Sequence, residues 1–413
     1  MLSGHPGRHS APDPDSGLLL LEYLVGRSNM PNSIVYAVPF FYVGLVAELL
    51  VCWKLRKSTF NFSDSMTSMG LGLIGQIVNV FVKAVTVGIY AAAYKYLAVW
   101  HLPAEKWWTW AAAILLYDFF YYWNHRLDHE VNALWASHVV HHSSEEFNYS
   151  TAMRQTSTGF ITGWLFYIPM AIMGIPVTVF AISAALNLFY QFWIHTKCIG
   201  QLGWFDRWFA SPSNHRVHHG QNDYCVDKNY GGILMLWDRM FGTFTTERPE
   251  EEEKIVFGIH GQLKSFNPIW ANLHKYHDLY MDAKVATNWK DRLLVWFKPP
   301  GWRPANADVA RPKPAYSLDK FNIYRPKIKS SVKIYCLVQA LLVFVVGSWF
   351  IGFSAQIPVA LRVELAVFIV ASIWVVSNTL ENRPNNFRYQ LLWLASLVPC
   401  VLIGLTQLHP HWA

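Results

Sequence analysis

Apolar runs long enough to cross a bilayer alternate with polar, basic stretches along this chain. The first run, 33–53, is closed by Lys54, Arg56 and Lys57. A second, about 69–99, is rich in small residues and predicts one tilted helix or a bent pair. The third, 107–123, opens on Trp107 and Trp108, as spans do at a membrane–water boundary. Residues 158–194 hold two shorter apolar runs around Met173-Gly174-Ile175-Pro176, which predicts a helical hairpin that enters and leaves on one side. Three more spans are predicted near 332–353, 358–379 and 390–407.

The polar stretches complete the organisation. Residues 1–32 form a Pro-rich tail without the basic leader and cleavage site of a signal peptide. Residues 124–157 are rich in His, and 195–331 carry 20 Lys and Arg against 14 Asp and Glu. Within the latter, 265–302 mixes Trp270, Trp289, Trp296 and Trp302 with Lys and His, as an interfacial helix does. The chain thus divides into a tail (1–32), N-terminal spans (33–106), a catalytic core (107–245), a cytosolic or interfacial region (246–331) and C-terminal spans (332–413). The fold class is all-α: a polytopic membrane helical bundle with a cytosolic, His-rich di-metal cap. The basic loops place that cap on the cytosolic side.

Composition agrees. Of 413 residues, 53% are hydrophobic and 15% charged, which excludes a disordered chain and most cytosolic enzymes. The net charge of +7 sits in the loops and implies anionic headgroups, not nucleic acid. Five scattered Cys make no CxxC pair and read as small hydrophobes.

Eight of the 17 His fall in three clusters: His125 and His129; His138, His141 and His142; His215, His218 and His219. Spacings of three and four put side chains on one helix face, so HxxxH and HxxHH each offer several imidazoles to one metal. Eight imidazoles exceed one metal's needs and suit two. Imidazole alone does not choose among Zn, Fe, Cu and Ni. An HExxH zinc hydrolase is disfavoured, because Ala133 stands where the second His would be. Two redox-active irons at a membrane surface suit O2 activation and attack on an unactivated C–H of a lipid, which zinc cannot support. The hairpin returns the chain to one face, so all three clusters can meet just beyond the hydrocarbon. A transporter would hold its ligands near the midplane instead.

Other residues carry two readings each. His195, at the end of the hairpin's second helix, is either a ninth ligand or a helix-dipole partner. Asp118, inside an apolar span, is either an acceptor for a ligand's N–H or half of a buried pair with an Arg. Glu130 is either a proton-handling neighbour of His129 or a solvated side chain. Glu145, Glu146 and the run Glu250–Glu253 are expected to be solvated, and His260, His274 and His277 to stand outside the site.

The segments 118–155, 187–196 and 211–244, which include HHSSEEFNYSTAMRQ, HRVHHG and NYGGILMLWDRMFGTF, resemble the membrane-bound fatty acid hydroxylase/sterol desaturase superfamily, and its ether-lipid monooxygenase branch most closely. The resemblance covers about residues 33–300 well and the last hundred loosely. It implies hydroxylation of the alkyl carbon beside the ether oxygen of a glycerol ether lipid, with O2, two iron ions and tetrahydrobiopterin, in the endoplasmic reticulum membrane or a bacterial inner membrane. The hemiacetal product falls apart to a fatty aldehyde and a glycerol derivative. The resemblance also implies the metal role of the eight clustered His and a needed acidic residue at Glu130. Asn214 departs from the animal enzymes, which tend to carry His there. No pterin motif is legible. The rival within the superfamily is a sterol or fatty acyl hydroxylase or desaturase fed by a cytochrome b5-type donor.

Overall fold

The computed structural model describes residues 34–55, 60–249, 252–313 and 316–408; the tail 1–32, Arg56, Lys57 and the first half of the Glu250–Glu253 run lie outside these. Among the described residues the chain is helical, with two isolated β-bridges and no strand. Helix α1 (Ile34–Lys54) is apolar apart from Glu48 and its terminal lysine. Helix α2 (Phe62–Leu97) is one continuous helix of 36 residues, capped by the Asn61 side chain, which accepts from Ser63 N at 3.2 Å. At 1.5 Å per residue it is about 54 Å long, against roughly 30 Å of hydrocarbon. Its polar start takes up part of the excess: Ser63, Asp64, Ser65, Thr67 and Ser68 are all buried in the cap. The second stretch is therefore one continuous helix, not a bent pair.

Helix α3 (Trp107–Glu130) and helix α4 (Asn132–His142) are separated only by Val131, whose extended backbone turns the chain. The following hairpin differs from expectation in its first leg. Two 3-10 turns, Gly159–Ile161 and Gly163–Tyr167, lead into the five-residue helix Ile168–Ile172. Gly159, Thr162, Gly163 and Pro169 are poor helix-interior residues, so a regular helix does not form over this leg. The second leg is helix α5 (Val177–Trp193). The hairpin tip docks on the loop joining α2 to α3, where Val99 N donates to Ile172 O (2.8 Å) and Leu102 N to Gly174 O (3.1 Å). Gly174 has φ +85, and a Cβ there would lie 2.0 Å from Trp100 O. Only glycine fits.

Helix α6 (Pro212–His219) starts with the Ser211 side chain accepting from Asn214 N and with Pro at the first position. Helices α7 (Pro268–Val285) and α8 (Trp289–Phe297) expose Ile269, Leu273, Trp289, Leu293 and Phe297, as an interfacial pair does. The chain ends in α9 (Ser330–Phe353), α10 (Val359–Leu380) and α11 (Asn386–Leu408). Three stretches, Phe62–Leu97, Ser330–Gln356 and Val359–Leu380, are long and apolar enough to cross a membrane. They pack together through Leu73, Ile77, Val343, Phe344, Ile369 and Ile373. The cap grips this bundle through buried charge. Arg154, 1% exposed, donates to Asp64 on α2 at 3.1 Å, and Glu381 accepts from Phe266 N. Glu145 and Glu146 belong to that grip and are not solvated. Glu145 accepts from Tyr324 N and Gln262, and Glu146, 2% exposed, pairs with Arg325 and Lys197. Each carboxylate is enclosed because residues 320–325 cross over it, which no local pattern announces.

Candidate metal centre

Nine imidazoles meet in the cap. His125 and His129 come from the last two turns of α3, and His138, His141 and His142 from α4. His215, His218 and His219 come from α6, and His195 lies two residues past α5. They sort into two adjoining groups. His125, His129, His138, His142 and His218 form one, and His141, His195, His215 and His219 the other; ligand atoms within each group lie within 4.8 Å of one another. The groups touch where the rings of His142 and His219 stack at 4.2 Å. The four-plus-four division that the spacing suggests is thus five plus four, and His195 sits among the four.

The nitrogens face each other in a way that hydrogen bonding alone does not explain. Nε2 of His138 is 3.1 Å from Nε2 of both His125 and His142. His195 Nε2 is 2.9 Å from that of His215 and 3.2 Å from that of His141, and His219 Nε2 is 3.2 Å from His215 Nε2. Two imidazole nitrogens bound at right angles to one metal, each about 2.1 Å from it, would be about 3.0 Å apart. The Nε2 atoms of His129 and His218 are buried with no hydrogen-bond partner at all, which costs free energy unless a cation takes up the lone pair. The donor set therefore fits two metal ions.

The backbone sets the tautomers. Nδ1–H of His125 donates to Tyr230 O (2.8 Å), that of His141 to Arg154 O (3.0 Å), that of His195 to Gln191 O (2.7 Å), and that of His218 to Lys228 O (3.0 Å). With Nδ1 as the donor, Nε2 is left as the lone-pair atom aimed inward. Burial also keeps the rings neutral: it pushes His141 down to about 4 and holds His142, His215, His218 and His219 well below the usual range. A neutral imidazole is the ligand form.

Asp118 does not reach a histidine or an arginine. Its carboxylate accepts from Ile233 N (2.7 Å), Leu234 N (3.0 Å), Trp237 Nε1 (2.9 Å) and Asn187 Nδ2 (3.3 Å). A nearby turn offers two unpaired peptide N–H groups and an indole, so the charge is spent there. The effect on the centre is indirect, because the same segment carries Tyr230, whose carbonyl orients His125. Glu130 accepts from Arg126 Nε at 2.9 Å, half-exposed, and touches none of the nine rings. His260 stacks on Tyr316, and neither it nor His274 nor His277 belongs to either group. Sequence patterning missed Arg154, Asp64 and the carbonyls of Tyr230 and Lys228. Only the polar start of α2 hints at them, since a span has no use for Asp64 without a partner.

A fatty acid hydroxylase family model matches residues 110–243, which contain all nine histidines. The alkylglycerol monooxygenase of Homo sapiens is 36% identical over 86% of this chain and 79% of its own length. That of Danio rerio is 33% identical over 91% and 82%. An ornithine lipid hydroxylase of Rhizobium tropici is 27% identical over 58% and 75%. No solved structure matches. A His-lined cap on an apolar helical bundle, together with relatives this similar along most of both chains, means that this chain is a membrane monooxygenase and belongs to the alkylglycerol monooxygenase family.

Proposed function

We propose that the chain hydroxylates the alkyl carbon next to the ether oxygen of alkylglycerols or lyso-ether lipids, so that the product collapses to a fatty aldehyde and a glycerol derivative. The observation that carries this reading is the convergence of nine inward-facing Nε2 atoms at one end of apolar helices. A lipid drawn from the bilayer meets O2 and reductant there. His125, His129, His138, His142 and His218 would hold one iron, and His141, His195, His215 and His219 the other. Bound iron supplies the redox change that O2 activation needs, with tetrahydrobiopterin as the reductant. The protein's own part is to keep the imidazoles neutral through burial, to fix Nε2 inward through the four carbonyl contacts, and to exclude bulk water with Trp135 and Phe147. Trp135 packs 5.0 Å from the His129 ring, and Phe147 5.2 Å from the His219 ring. Residues 107–245 form the catalytic core, the cap faces the cytosol, and the membrane is that of the endoplasmic reticulum, or the inner membrane in a bacterium.

Turnover of a labelled 1-O-alkylglycerol by the purified protein, with and without tetrahydrobiopterin, tests the proposal. Aldehyde release that depends on the pterin, with two irons per chain, is the expected result. His141→Ala and His218→Ala strike different groups, and each should abolish turnover and lower iron content. Near-normal rates in both would overturn the dinuclear site. Turnover driven by cytochrome b5 on a sterol or fatty acyl substrate would favour the rival activity.

A further inference from the structure

Helix α3 carries a polar stripe that the metal centre does not use. Tyr117, Tyr121, Asn124 and Asp128 follow one another at spacings of four, three and four, and all are half-buried. The stripe runs alongside the ligands. The Tyr121 ring lies 5.3 Å from the His125 ring, and Asp128 directly precedes His129. Packing accounts for its aromatic end: Tyr117 stacks on Tyr167 of the hairpin at 4.7 Å, and Tyr121 donates to Gln191 Oε1 at 2.7 Å. The other end is unfinished. Asn124 Nδ2 donates to Asp128 Oδ2 at 2.8 Å, and among the described residues this is the one hydrogen bond that Asp128 makes. Asn124 Oδ1 is buried without a partner, and Asp128 Oδ1 beside it receives no donor and is open to approach. No lysine or arginine pairs with the carboxylate among the described residues. Asp118, on the same helix, spends both its oxygens on four donors. A buried acceptor without a donor is costly unless a ligand brings one, and the accessible carboxylate oxygen next to it can take a second.

We propose that this stripe is the bed of the substrate, and that Asn124 and Asp128 hold the two free hydroxyls of the glycerol. The assignment rests on the ether-lipid reading above and names the groups that recognise the headgroup. A vicinal diol presents two O–H donors to two open acceptors. In an alkylglycerol the nearer hydroxyl oxygen is four bonds from the carbon to be oxidised, so the group that holds it must lie beside the ligand histidines, as Asp128 does. The alkyl chain then leaves along Tyr121 and Tyr117 toward the apolar bundle. The stripe is polar at the cap and aromatic toward the hairpin tip, which matches an amphiphile laid along it.

The test compares two substrates in one reaction: 1-O-hexadecylglycerol and hexadecyl propyl ether, which has the same ether bond but no hydroxyl. kcat/KM for each is measured with the wild-type protein, Asp128→Ala, Asp128→Asn and Asn124→Ala, and iron content is determined on the same preparations. Two hydrogen bonds to acceptors that otherwise lack donors correspond to a preference of about 10- to 100-fold. The wild type should therefore favour the diol by at least that factor. Asp128→Ala should flatten the ratio through a higher KM for the diol, and Asp128→Asn, which keeps an acceptor oxygen, should flatten it less. Iron should stay bound. A ratio unchanged in all three variants overturns the assignment and leaves the ether-lipid reading standing. Loss of iron from Asp128→Asn also overturns it, since the residue would then support the ligand helices. A wild type inactive on the alkylglycerol takes down both readings.

Discussion

A carboxylate that is 1% exposed inside an apolar helix must find donors, and Asp118 finds four. Asp238 does the same next door, accepting from Tyr230 N and Gly231 N at 2.8 Å each. Together the two pin residues 230–237, and the Tyr230 carbonyl is thereby held against His125. Asp118→Asn would turn one oxygen into an NH2 group facing a peptide N–H or the indole. The loss of a charged acceptor costs about 1–3 kcal/mol, so the melting temperature should fall. Metal in the five-histidine group should bind about 10- to 100-fold more weakly, while the four-histidine group keeps its ion. Thermal unfolding and iron titration on one preparation check both. Unchanged stability and affinity would mean that the segment holds its shape without Asp118. Glu130 offers a contrast: its half-exposed i,i+4 pair with Arg126 is worth only about 0.5 kcal/mol.

Helices α2 and α4 bring the cap and the bundle together, and α2 does so through small residues. A Cβ on Gly72 would lie 2.3 Å from Met153 O, and the next residue, Arg154, supplies the carbonyl that orients His141. Gly72→Ala should therefore push the 153–154 backbone away, with a loss of about 1–3 kcal/mol and of metal from the four-histidine group. Gly88 on the same helix has nothing within 4 Å, so Gly88→Ala should be neutral or stabilise by up to about 1 kcal/mol. Melting temperatures of the two variants measured side by side decide it; equal losses would refute the close-approach account. The same helix marks how far the sequence could be read. Histidine spacing exposed three of the four segments whose imidazoles meet in the cap, because a period of three and four is a local property. Whether 69–99 was one span or two was not legible, since small apolar residues suit a kink and a straight helix alike. The fates of Asp118 and Glu146 were hidden for another reason: their partners are distant in the chain, at Asn187 and Ile233 for Asp118 and at Lys197 and Arg325 for Glu146.

At the scale of the whole molecule, the ends of α2, α3, α9 and α10 fall into two sets. The end of α1, the start of α2 and the end of α3 reach the cap: Glu48 accepts from Tyr149 N, Asp64 pairs with Arg154, and His125 and His129 join the centre. So do the start of α9, next to Arg325, and the end of α10, next to Glu381. The loop 98–106, the hairpin tip and the turn 354–358 lie at the opposite ends of the same helices. α2, α9 and α10 are each long and apolar enough to cross; if they do, these two sets of loops face opposite sides of the membrane. Single cysteines at Asp223 and Lys264, both exposed on the cap, should react with an impermeant thiol reagent from one side of sealed vesicles. Cysteines at Glu105 and Gln356, exposed at the far ends, should react only from the other. The five native cysteines would first be replaced by Ser or Ala. Labelling of Glu105→Cys from the same side as Asp223→Cys would mean that α3 does not cross, and the route by which a bilayer lipid reaches the histidines would have to be redrawn. Labelling of Gln356→Cys alone from the cap side would instead confine the fault to the pair α9 and α10, leaving the arm that carries the metal ligands as described.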